Sequence, residues 1–180
     1  MNFPAPEKLV RKARFLKICL SLVLGLIAMG AGAQIAYLLS DAQGFGRFLT
    51  AATGYPDQDL RLWQVMALAL IAMAQTLLWA AVAWRGRAVF RALETAEIER
   101  SAHSASALSR LLWVVLVYSI LAGTLAVLVI TWHFPDGQRA LSVSFGSVHL
   151  TTVLAALIAS FLSQALVLGA ALWRDHQEVI

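Results

Sequence analysis

Residues 85–110 read Arg85-Gly86-Arg87-Ala88-Val89-Phe90-Arg91-Ala92-Leu93-Glu94-Thr95-Ala96-Glu97-Ile98-Glu99-Arg100 and then Ser101-Ala102-His103-Ser104-Ala105-Ser106-Ala107-Leu108-Ser109-Arg110. This is the longest polar stretch of the chain, and its five arginines stand between two pairs of long apolar runs. Outward from it, residues 62–84 and 18–39 lie on one side, and residues 111–132 and 150–173 on the other. None of the four runs holds Asp, Glu, Lys, Arg or Pro. Each exceeds the roughly 20 apolar residues that, at about 1.5 Å each, cross about 30 Å of hydrocarbon. The expected fold is all-α: an integral membrane four-helix bundle forming a single membrane domain over residues 1–180. Residues 85–110 are then the loop that ties two transmembrane hairpins together.

The composition agrees. Apolar residues make up 60% of the chain and charged residues 13%, too apolar and too poorly charged for a soluble domain. Eleven of the fourteen basic residues precede the first run, lie in residues 85–110 or follow the last run; Arg47, Arg61 and Arg139 are the others. The positive-inside rule then predicts that both termini and the central loop face the cytoplasm (N-in/C-in). The same bias accounts for the net charge of +4 without a nucleic-acid partner. The expected location is a bacterial inner (cytoplasmic) membrane, multi-pass, with the lipid bilayer as the first partner. Cys19 is the only cysteine, so no internal disulfide can form, and it reads as a small packing residue.

Two readings of the first run stay open. A basic start, an apolar run and Ala31-Gly32-Ala33 have the form of a cleaved signal peptide. The run resumes at Ile35 and reaches span length, which favours a retained helix. Ser21, Gly25, Ala28, Gly32 and Ala36 recur every three or four residues, a spacing that lets another helix approach closely. Internal packing within the bundle is the simpler use of this stripe; an interface with another protein or a second copy is the other.

In the first outer loop, residues 44–49 suggest a short interfacial helix resting its aromatics on the membrane. In the second, Pro135-Asp136-Gly137 reads as a turn. Leu141, Val143 and Phe145 then alternate with Ser142, Ser144 and Gly146, which predicts a short extended segment. Trp63, Trp84, Trp113, Trp132 and Trp173 stand at the ends of runs, as in an interfacial belt, whereas Trp79 lies deeper and reads as packing. Residues 69–72 and 156–159 both read Ala-Leu-Ile-Ala, a hint of internal duplication.

The central loop is expected to open with a short helix, with Arg91–Glu94 and Glu97–Arg100 at the spacing of weak surface ion pairs. Arg85, Arg87, Phe90, Arg91 and Leu93 are the candidates for docking a cytoplasmic partner. Residues 101–109, rich in Ser and Ala, read as a flexible or capped lead into the third span.

Candidate chemistry is sparse. No ionisable group lies deep in a span, which argues against a proton pump, a voltage sensor or a carboxylate-coupled transporter. The deep polar residues are Gln34, Gln75, Thr76, Ser119, Thr124, Ser160, Ser163 and Gln164. Interhelical hydrogen bonds are their expected use, with Gln75, Ser160 and Gln164 as helix-packing candidates. His133 and His149 lie at matching depth at the ends of neighbouring runs and are the weak candidates for a haem or metal. No catalytic arrangement, metal motif or phosphate loop stands at credible spacing, so neither an enzyme nor a cofactor is expected.

One resemblance adds to this reading. Val89-Phe90-Arg91-Ala92-Leu93-Glu94, Ala96-Glu97-Ile98 and Leu108-Ser109-Arg110-Leu111-Leu112-Trp113 resemble the central loop of a bacterial four-span family known as domain of unknown function two-nine-seven-five. Residues 141–145 and the tail 174–180 resemble its second outer loop and charged ending. The chain departs from the pattern at Ala96 and Glu99, where the family favours glycine and an aromatic residue. The resemblance implies an integral inner-membrane protein without assigned activity, some members standing beside small helix-turn-helix regulators. The expected function is a non-enzymatic membrane module that binds a cytoplasmic regulatory partner. The alternatives are a small transport or permeability component using the Gln75/Gln164 region, and a haem-binding redox protein.

Overall fold

The computed structural model describes residues 7–54, 60–95, 98–132, 134, 143 and 146–178. Five helices follow one another: α1 (Glu7–Ser40), α2 (Ala42–Ala52), α3 (Leu62–Glu94), α4 (Ile98–Thr131) and α5 (Ser147–Glu178). No strand occurs among the described residues. Four of the helices are long and apolar enough to cross a membrane, and they pack together as an all-α membrane bundle. Their outward surfaces carry Leu22, Leu26, Leu70, Leu77, Leu121, Leu154, Phe161 and Leu168, all exposed. In water such an apolar surface would drive association; in hydrocarbon it costs nothing.

The bundle is an open row. α1 packs on α3, α3 on α4 and α4 on α5, with α2 touching α1 and α3; no other pair of helices packs extensively among the described residues. Outer helices need one contact stripe. On α5 it runs through His149, Thr152, Ala156, Ser160 and Ser163, all buried or half-buried. On α1 it runs through Ala13, Lys17, Leu20, Leu24, Ile27, Ala31, Gln34 and Leu38, again all buried or half-buried. Those positions alternate steps of four and three, the repeat of helices that cross at a shallow angle.

This corrects the sequence reading of the small-residue stripe. Gly25, Ala28, Gly32 and Ala36 are exposed, and a Cβ built on Gly25 or Gly32 would meet nothing within 4 Å. Ser21 alone of the five is half-buried, at the edge of the contact face. The bulkier stripe won because Leu20, Leu24, Ile27 and Leu38 offer more atoms to α3, and dispersion scales with contacts. Close approach is instead supplied by α3, where a Cβ on the buried Gly86 would stand 3.2 Å from Leu20 Cδ1.

Residues 85–110 are also corrected. They are not a loop: α3 continues to Glu94 and α4 begins at Ile98, leaving a connection of three residues. Nor is 101–109 flexible. Ser101, Ala102, Ala105 and Ser109 are buried at intervals of three and four along α4, so the Ser and Ala content marks a close helix interface. The helices therefore extend past the runs of uninterrupted apolar sequence, and the two inner ones form a continuous hairpin.

α2 closes the other end. Asp41 caps it, its Oδ1 accepting from the Gly44 N–H at 2.8 Å. Phe45 points inward rather than resting on the membrane as the sequence suggested: it is 2% exposed and packs with Leu60, Val65, Leu68, Ala69, Ala126 and Ile130. Phe48, three residues on, is the aromatic that stays exposed. A Cβ on Gly46 would stand 2.9 Å from Val65 Cγ2, so glycine permits α2 to lie directly on α3. Apart from the exposed Val143, the expected extended segment at 141–145 falls outside the described residues, as do the turn at 135–137 and His133.

Candidate functional site

At the basic end the α3–α4 hairpin stands past Trp84. Arg85 and Arg91 are exposed, and Arg87 is half-buried with its guanidinium 5.8 Å from the centre of the Trp84 ring. Phe90 and Leu93 are half-buried, so of the five docking candidates only Arg85 and Arg91 reach fully outward. Between the end of α3 and the start of α4 lies a cavity of about 430 Å³, lined by Arg85, Arg91, Thr95, Arg100 and Ser104 among others.

Glu94 does not pair with Arg91. Its Oε1 accepts from Arg14 Nε at 3.1 Å, and its Oε2 forms an ion pair with Lys17. Arg14 and Lys17 stand on α1, so the only acid of α3 ties the first helix to the second span. The Glu97–Arg100 pair rests on a residue outside the described ones. Hydrogen bonds from Lys17 and Arg14 hold the Glu94 carboxyl below the ordinary glutamate value of 4.5. A carboxylate whose pKa falls on folding adds stability above the ordinary range and loses it as pH falls through the lowered value. The thermal midpoint of the detergent-solubilised protein should therefore drop on acidification below the ordinary glutamate range. Glu94→Gln should be slightly less stable at neutral pH and flatter over that range. Matching acid profiles for the two proteins would dismiss the tie. The effect is small because Arg14 is exposed and the pair is screened.

The deep polar residues form three separate contacts. Gln75 donates through Nε2 to Ser119 Oγ at 2.9 Å, joining α3 to α4. Thr76 donates to its own helix at Ala72 and reaches Gln34 Oε1 at 3.5 Å, toward α1. Ser109 and Ser160 share a 2.6 Å hydrogen bond between α4 and α5, and Trp113 Nε1 also reaches Ser160 Oγ at 3.4 Å. These are the interhelical bonds expected of polar groups in lipid. Thr124 bonds only within its own helix, to Ile120.

Gln75 and Gln164 do not share a site. Gln75 lines a cavity of about 280 Å³ with Leu49, Leu68, Ile71, Ser119, Gly123 and Ala126, beneath α2. Its Oε1 is buried without a hydrogen-bond partner. Gln164 is exposed and lines a different cavity of about 570 Å³ with Ser106, Ser109, Arg110, Ser160 and Ser163. His149 is half-buried at the start of α5, where its Nδ1 accepts from the Gly146 N–H at 3.1 Å. Among the described residues no group of three or more His, Cys, Asp or Glu side chains could hold a metal.

Two structural residues escaped the sequence reading. Gln64 is fully buried; its Nε2 donates to Val129 O at 2.7 Å and its Oε1 accepts from the Arg61 N–H at 2.9 Å. It stands two residues into α3, beside the expected interfacial Trp63, which hid it among boundary residues. Tyr118 donates its hydroxyl to Ile71 O at 2.9 Å, a third tie between α3 and α4. Its ring read as one more apolar residue of the third span.

The fold and the charge-free spans define a multi-pass membrane protein. Comparison with protein-family models, curated proteins and solved structures returns no match for the chain.

Proposed function

We propose that this chain is a non-enzymatic module of a bacterial cytoplasmic membrane whose basic end faces the cytoplasm and docks a regulatory protein. The observation that carries the reading is the helical head formed by α3 and α4 beyond Trp84. A flexible loop would lose conformational entropy on binding; a helical hairpin presents its side chains already ordered. Arg85 and Arg91 are exposed on it, and the single acid of α3 is held by α1. Such a head favours a partner with an acidic surface, by steering as much as by contact. The resemblance of residues 89–98 and 108–113 to the four-span family adds support for a regulatory partner.

The test is a quantitative pull-down of the tagged protein from native membranes, run beside the Arg85→Ala, Arg87→Ala, Arg91→Ala triple variant. One cytoplasmic protein should be enriched with the parent chain and lost with the variant. An unchanged set of associated proteins would remove the docking role. A second reading, a small permeability component, draws on the buried unpartnered Oε1 of Gln75 at its cavity. Solute flux in proteoliposomes that neither Gln75→Ala nor Gln164→Ala alters would count against it.

A further inference from the structure

We propose that the cavity between the end of α3 and the start of α4 binds a phosphate-bearing group, held by Arg85 and Arg91 from α3 and by Arg100 from α4. The cavity measures about 430 Å³, and Thr95 and Ser104 add hydroxyls to its wall. The guanidinium groups of Arg85 and Arg91, on the wall of one cavity, repel each other unless an anion lies between them. Their planar forks match phosphate oxygens, and the Ser104 hydroxyl adds a donor, whereas Thr95 directs its proton to the Arg91 and Ala92 carbonyls.

Three further observations point the same way. Glu94, the one acid of α3, is committed to Arg14 and Lys17 on α1, so it does not neutralise Arg91. Among the described residues neither Arg85 nor Arg91 forms an ion pair. Arg100 stands within the first turn of α4, a helix of 34 residues, where the aligned backbone dipoles favour negative charge.

The place suits a membrane lipid. Arg85 directly follows Trp84, at the end of the apolar run, and the headgroup layer is roughly 5–8 Å thick on each face. Arg91 lies about 9 Å further along the helix, within reach of a headgroup for a side chain of its length. A soluble phosphate compound offers the same chemistry, and the experiment separates the two. The site does not depend on the docking reading, because it requires no second protein.

The full-length protein in neutral detergent is titrated with phosphatidylglycerol, or with phosphatidylcholine as comparison, and retained lipid is counted by native mass spectrometry. In a second arm, inorganic phosphate is titrated by calorimetry. Phosphatidylglycerol should be retained in preference to phosphatidylcholine. R85A and R91A should each weaken retention about fivefold, and together more than tenfold. The R11A/K12A variant removes as much charge from the same end and should leave retention unchanged. R85K/R91K keeps the charge while losing the planar forks, and should fall between parent and double alanine variant; it also serves if the alanine variant misfolds. Arginine-dependent retention of phosphatidylglycerol supports the site with a lipid as occupant. Arginine-dependent binding of inorganic phosphate without lipid retention supports it with a soluble occupant. No binding in either arm, or equal losses in R11A/K12A and R85A/R91A, overturns it.

Discussion

Phe45→Ala should release α2 from the end of the bundle and leave the long helices in place. An 11-residue helix does not sustain itself without tertiary contacts. The contacts of α2 centre on this ring, which is 2% exposed and meets Tyr37 edge-on with centroids 5.7 Å apart. Truncating a buried Phe costs about 3–5 kcal/mol. The lower part of that range applies, because the rest of the cap can settle on lipid rather than water. The half-buried Ala42 and Leu49 keep only part of the packing, and the polar contacts, an Asp41 cap and a 3.4 Å bond from Gln43 to Leu60 O, contribute roughly 1–2 kcal/mol. Hydrogen exchange is the measurement. Amides of 42–52 should exchange about a hundredfold faster in the variant, the factor that about 3 kcal/mol implies, while α4 amides keep their protection. An unchanged α2 pattern would show that the ring does not hold the helix.

Gln64→Glu should be the most disruptive single-atom-scale change. The amide both accepts from Arg61 N–H and donates to Val129 O. An ionised carboxylate can accept but cannot donate, so it would face the Val129 carbonyl in a fully buried position. An uncompensated charge there costs about 3–5 kcal/mol. Protonation would restore a donor toward the Val129 carbonyl. The variant should therefore be far less stable than the parent at neutral pH and recover part of the difference in mild acid. Gln64→Leu, which cannot titrate, should lose about 1–3 kcal/mol with no such recovery. A thermal melt series across pH in detergent reads both; a variant as stable as the parent at neutral pH would refute the role given to Gln64.

The spans and their basic asymmetry were legible in the sequence because both depend on composition over many residues. The fate of residues 85–110 was not. Ser, Ala and His at 101–109 have the composition of a linker, and their burial depends on which faces of α3 and α5 lie beside them. The α1 contact stripe was legible in principle. Ala13, Lys17, Leu20, Leu24, Ile27, Ala31, Gln34 and Leu38 keep a strict alternation of four and three, but the glycine-containing stripe beside it has almost the same period. Bulk, not spacing, decided between them. At the candidate sites, Glu94 shows the limit of local reasoning. An i,i+3 partner was available in Arg91, yet two cations from another helix hold the carboxylate instead. Gln64 was missed for the opposite reason: position near a span end made it look interfacial, while it is fully buried and bonded to α4 at Val129 O.

The order of the row has a consequence for biogenesis. Each major interface joins a long helix to the next long helix in the chain: α1 to α3, α3 to α4, α4 to α5. Each long helix after the first thus finds its neighbour already in the bilayer, and of the three interfaces only that of α4 with α5 waits for the C-terminal helix. Assembly can proceed by successive addition, with few long-range pairings to search. A chain halted after α4 would already hold two of the three interfaces. The final helix would then dock against a surface that is complete before it arrives.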